Sequence, residues 1–64
     1  MENRLRELRR ARGMTQQELA DAAEISRQTV IAIEAGRFNP SVLLAFRLAK
    51  ALGMTIEDIF IFEG

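Results

Sequence analysis

A chain of 64 residues with 48% hydrophobic content and neither cysteine nor histidine can bury only about 60% of its unfolded surface. It also lacks the disulfides or ordinary zinc ligands that stabilise many small folds, which leaves association with a second copy as the remaining device. No stretch is apolar for long enough to cross a membrane, and the amino terminus is an Arg/Glu segment rather than a signal peptide, so a cytoplasmic protein acting as one unit over residues 1–64 is expected.

The first predicted helix runs from about Asn3 to Arg12, with Leu5 and Leu8 facing inward and Gly13 ending it. Thr15 followed by Glu18 is a capping box: the hydroxyl takes the Glu18 N–H and the carboxylate reaches back to the Thr15 N–H. A second helix therefore starts there and runs to about Ala23, with Leu19, Ala22 and Ala23 as a thin apolar stripe. Met14, just before the cap, serves as a hydrophobic staple, and Met54 repeats that role later.

Only Glu24-Ile25-Ser26 separates this helix from the next. The turn asks Glu24 to take positive φ at a cost of about 1 kcal/mol, while Ile25 plugs inward between the helices. Ser26 caps the third helix, Val30 and Ile33 form its buried stripe, and Gly36 marks its end. Two capped helices joined by three residues are the pattern of a helix-turn-helix, here over about 15–35. With Val30 and Ile33 inward, Arg27, Gln28, Ile31 and Ala32 face outward. Arg can pair with guanine O6/N7 and Gln with adenine N6/N7, whereas Ile31 and Ala32 can only touch a thymine methyl or a sugar edge.

After the loop Arg37-Phe38-Asn39-Pro40, Ser41 caps a fourth helix whose core face is Val42, Leu44, Ala45, Leu48, Ala49 and Leu52, and Gly53 ends it. Thr55 with Asp58 opens a short fifth helix to Ile59 or Phe60. The apolar tail, Ile56, Ile59, Phe60, Ile61 and Phe62, exceeds what so short a helix can hide, and is expected to be a dimer surface. Two alternatives stand beside that one: Ile61-Phe62-Glu63 as a short strand pairing with residues 1–3 or with its twin, and Phe60 folding back into the core.

The five-helix, all-α arrangement comes with a formal net charge of zero, which does not resemble the basic footprint usual for nucleic-acid binding. The distribution is polarised, however. Arg4, Arg6, Arg9, Arg10 and Arg12 stand against Glu2 and Glu7 in the first twelve residues, while the last fourteen carry Glu57, Asp58 and Glu63 and no basic residue, a layout that steers one end toward DNA. Nothing points to catalysis: there is no glycine-rich phosphate loop and no carboxylate pair in an evident pocket, so no cofactor, metal or small-molecule substrate is expected.

Thr15-Gln16, Leu19-Ala20, Ser26-Arg27-Gln28-Thr29, Ile33-Glu34-Ala35-Gly36-Arg37 and Asn39-Pro40-Ser41 together resemble the Xre family of small prokaryotic and phage regulators, which includes the lambda repressor and Cro. The resemblance covers about 5–62. It implies a lambda-repressor-like fold with Arg27 and Gln28 entering the major groove, beside the outward Ile31 and Ala32 that the helix face already offers as base contacts. It also implies phosphate contacts at Gln16, Thr29, Arg37 and Asn39, and a buried ion pair between Arg9 and Glu34. The implied function is binding of a palindromic double-stranded operator as a homodimer, most simply as a repressor. Two positions depart from the pattern, since Ile31 stands where a small polar residue is usual and Leu43 where a charged one is. They keep open a protein-interaction module, such as the antitoxin of a toxin-antitoxin pair.

Overall fold

The computed structural model describes residues 2–61, which form five helices: α1 (Leu5–Ala11), α2 (Gln16–Ala23), α3 (Arg27–Glu34), α4 (Val42–Leu52) and α5 (Ile56–Ile59). Four of the starts are those the side chains dictate. Thr15, Ser26, Ser41 and Thr55 each sit in extended backbone, and each accepts the N–H three residues on; at Thr15 and Thr55 the reciprocal bond from Glu18 or Asp58 completes a capping box.

The helix ends are equally regular. α1 to α4 all close with a residue in the left-handed region, namely Gly13, Glu24, Gly36 and Gly53. In each, the N–H that follows reaches back across the last turn: Met14 to Arg9, Ile25 to Ala20, Arg37 to Ala32 and Met54 to Ala49. Glu24, at φ 59°, is the non-glycine member of the set, as the turn between α2 and α3 demands.

α2 lies at the centre, packed against both α3 and α4, with α1 against α3 and α5 against α4. Leu5, Leu8, Leu19, Ala20, Ala23, Val30, Ile33, Ala45, Leu48, Ala49, Leu52, Ile59 and Phe60 form one contiguous core, and Met14, Ile25, Met54 and Ile56 pack against its edge.

Several expectations need correction. α1 begins at Leu5 rather than Asn3, because the Asn3 backbone is occupied in an antiparallel bridge with Phe60. The Asn3 side chain instead accepts the Leu5 N–H (3.0 Å) and donates to the Ile33 carbonyl (2.8 Å), tying the amino terminus to α3. On α2 the buried stripe is Leu19, Ala20 and Ala23, leaving Ala22 exposed. On α4, Val42 is 81% exposed and points away from the core.

The tail is the largest correction. Ile59 and Phe60 are fully buried within the protomer and cannot form a dimer surface. The Arg4 N–H donates to the Ile59 carbonyl (2.7 Å) and the Ile61 N–H to the Glu2 carbonyl (3.1 Å). This pairing with the amino-terminal segment swings Phe60 inward, where its burial is worth about 2–3 kcal/mol. Ile56 is half-buried against the core and Ile61 remains partly exposed; Phe62 lies outside the described residues.

Replacing Glu24 by Gly should remove the left-handed strain at the α2–α3 turn and raise stability by about 0.5–1 kcal/mol, net of the extra freedom glycine has when unfolded. Urea unfolding reads this directly, and a loss of stability would show that Glu24 is not strained.

Candidate nucleic-acid interface

Ser26 starts α3, and its Oγ both accepts the Thr29 N–H (3.1 Å) and hydrogen-bonds the Thr29 hydroxyl (2.8 Å). The cap aims the first turn of α3 outward, and Arg27 and Gln28 are exposed there. One turn further on, Ile31 and Ala32 are half-buried, while Val30 and Ile33 are wholly inside. The exposed face of α3 thus carries two hydrogen-bonding side chains at its beginning and two apolar ones behind them. At the far end, the left-handed Gly36 turns the chain into a loop where Arg37 and Asn39 are exposed.

The last residue of α3 is the most constrained group in the molecule. The Glu34 side chain is 0% exposed, and it accepts from Arg9 Nε at 2.6 Å, with Arg9 itself 8% exposed. Arg9 Nη2 (3.3 Å), Gln16 Nε2 (3.2 Å) and Arg6 Nε (3.4 Å) reach the other carboxylate oxygen, and Arg9 Nη1 donates to the Met14 carbonyl (2.7 Å), bracing the α1–α2 loop. One carboxylate thereby joins α1, the start of α2 and the end of α3. Burial by itself pushes its pKa up. The hydrogen bonds from Arg9 and Gln16, the Arg9 charge and the Arg6 contact outweigh that, holding the carboxyl below its ordinary value.

A family model described as Helix-turn-helix matches residues 5–59. An HTH-type transcriptional regulator of Methanocaldococcus jannaschii is 51% identical over 63 residues, which is 98% of this chain and 96% of that protein. Another, from Methanothermobacter thermautotrophicus, is 52% identical over 64 residues, covering 98% and 93%. The restriction-modification controller protein C.AhdI from Aeromonas hydrophila has a crystal structure that superposes with a TM-score of 0.85 at 38% identity, over 89% of this chain and 86% of its own. The chain belongs to the Xre family of helix-turn-helix regulators.

As an Xre-family protein it is a DNA-binding transcriptional regulator, and its relatives are named as regulators rather than enzymes. Among the described residues no helix is long and apolar enough to cross a membrane. Of the residues the sequence marked for phosphate contact, Arg37 and Asn39 share the loop after α3. Gln16 stands at the start of α2 with one amide N–H on Glu34, and Thr29 is half-buried with its hydroxyl on Ser26.

Two features of this Xre domain escaped the sequence reading. The extension of the Arg9–Glu34 pair to Arg6 and Gln16 depends on how three helices converge, which no spacing within one helix reveals. The exposure of Val42 and Phe46 beside Leu43, which the sequence had already marked, did have a signal: α4 is apolar on more sides than one core can use.

The Glu34 carboxyl titrates lower in the folded chain than its ordinary value of 4.5. Its contribution to stability is therefore present above about pH 4.5 and disappears as pH falls through the folded value. Asp58 shifts the same way through the Thr55 backbone and side-chain hydrogen bonds, but is exposed. Glu34→Gln should lower stability at pH 7 and flatten the decline between pH 5 and 3 relative to the unmodified chain, as measured by urea unfolding at each pH. Parallel acid limbs in the two proteins would show that Glu34 carries no such linkage.

Proposed function

We propose that the chain is a sequence-specific repressor that binds a palindromic double-stranded operator as a homodimer, with α3 in the major groove. The observation that carries this reading is the disposition of Arg27 and Gln28. They are the exposed polar pair on the first turn of a helix whose other end is locked by the buried Glu34 cluster. Held so, Arg27 presents a fork suited to guanine and Gln28 an amide suited to adenine. Ile31 and Ala32 offer only methyl contact, which favours thymine at the neighbouring step. Gln16 and Thr29 on one side of α3, and Arg37 and Asn39 on the other, are assigned to the flanking phosphates. The chain acts as one unit over residues 1–64, in the cytoplasm where its operator is.

The domain measures 32 × 20 × 19 Å, and half-sites one helical turn apart are separated by about 34 Å. One copy reads one half-site, so a palindrome needs two. The surface assigned to that pairing is α4 rather than the tail: Val42, Leu43 and Phe46 are 81%, 60% and 56% exposed. Phe46 also lines a cleft with Ile56 and Met54 at the α4–α5 junction. An apolar strip of this kind on a small folded chain is covered when a symmetric partner lays the same strip against it. Occupying the operator excludes other proteins from it, which is repression without any further activity.

Selecting bound duplexes from a random pool tests the reading as a whole. Gln28→Ala should cost about 1–3 kcal/mol at one base pair and relax specificity there, whereas Arg37→Ala should weaken all sequences alike. If neither substitution changed binding to the selected operator, or if the affinity were insensitive to salt, α3 would not be the reader and an apolar protein partner would be favoured.

Phe46→Glu should convert a dimer into a monomer at tens of micromolar in sedimentation analysis. Ile61→Glu should leave the dimer intact. The reverse outcome would return the interface to the tail.

A further inference from the structure

Besides Arg9 Nη2, one oxygen of Glu34 is shared by two further donors that belong to different helices. Arg6 Nε approaches Oε1 at 3.4 Å from α1 and Gln16 Nε2 at 3.2 Å from the start of α2. Neither donor is used up. A guanidinium carries five N–H groups and a carboxamide two, so both side chains keep free donors, and Arg6 is 54% exposed. The charges do not balance either. Arg9, 8% exposed, already answers the buried Glu34 carboxylate, which leaves the Arg6 charge as a surplus positive group beside Gln16.

Arg4, on the same helix, has no such surplus. Its Nε and Nη2 both lie on Glu7 (3.4 and 2.8 Å).

We propose that Arg6 is a phosphate-binding residue and that Arg6 and Gln16 form a two-pronged clamp on one DNA phosphate, with Glu34 as the positioning residue that holds both prongs. The inference rests on the DNA-binding reading above and extends it to a helix outside the helix-turn-helix motif. Glu34 fixes which way the Gln16 amide is turned and pins Arg6 by Nε, so that the outer guanidinium nitrogens and the second amide N–H converge on an anion. A planar guanidinium suits that anion by both charge and geometry.

The test is the salt dependence of affinity for the selected operator duplex, with folding checked by thermal unfolding. Each phosphate neutralised by a cationic side chain contributes about 0.9 to the log–log slope. Arg6→Gln should therefore make the slope shallower by about 0.9, while Arg6→Lys and Arg4→Gln should leave it unchanged. A synthetic chain carrying citrulline at position 6 keeps the shape and the N–H toward Glu34 without the charge, and should match Arg6→Gln even if that variant folds poorly. In a scan of single methylphosphonate substitutions, the duplex position whose neutralisation weakens the unmodified chain several-fold should lose that penalty with citrulline.

An unchanged slope for the neutral variants, or an equal drop for Arg4→Gln, overturns the clamp. Should Gln28→Ala still relax base specificity in that case, the clamp alone fails and the DNA reading survives. Salt-independent binding by the unmodified chain overturns both.

Discussion

A carboxylate buried at the carboxyl end of a helix is disfavoured twice, by lost hydration and by the negative end of the helix dipole. Glu34 occupies that position at the end of α3, and the rest of the molecule is arranged to answer it. Arg9 supplies the opposing charge at 2.6 Å, and Arg6 and Gln16 fill the other oxygen. Removing Arg9 or Glu34 alone leaves an uncompensated charge inside, which in buried pairs costs about 3–5 kcal/mol. That cost makes the cluster a geometric lock on where α3 sits relative to α1 and α2.

The lock matters because α3 is only eight residues long, and helices of that length are not stable alone. Its outer face presents Arg27 and Gln28 to solvent with no tertiary support of their own. Their aim comes from the Ser26 cap at one end, from Val30 and Ile33 in the core, and from Glu34 and the Asn3 contact with the Ile33 carbonyl at the other. Asn3 also pairs with Phe60, so the same frame that positions α3 closes the chain ends over the core. On the proposed reading, function and stability draw on the same few residues.

Most of the fold was legible because its punctuation is local. Thr15 with Glu18, Ser26, Ser41, and Thr55 with Asp58 each announce a helix within four residues, and Gly13, Gly36 and Gly53 announce the stops. The strain at Glu24 was readable for the same reason, from the length of the turn alone. What was not legible was the burial of groups whose partners are distant in sequence. For Phe60 the sequence favoured a dimer surface and kept folding back into the core as an alternative; what decides between them is the pairing of the backbone of residues 2–4 with residues 59–61, which turns the ring inward. Val42 looks like core at helical spacing until α4 is docked and its first turn overhangs the edge. The Arg9–Glu34 pair was visible through family resemblance, but the arrival of Arg6 and Gln16 at the same carboxylate is a product of three-helix convergence.

The central claim is that a locked α3 reads DNA, with the α2 start and the loop after α3 on the flanking backbone. The most direct measurement is residue-by-residue amide chemical-shift mapping of the labelled chain as an operator duplex from a random-pool selection is titrated in. The account predicts that the largest changes fall on Gln16, on 27–32 and on 37–39, while the buried Leu48 and Leu52 of α4 stay nearly still. Changes concentrated on Val42, Leu43 and Phe46 with α3 unmoved would contradict it.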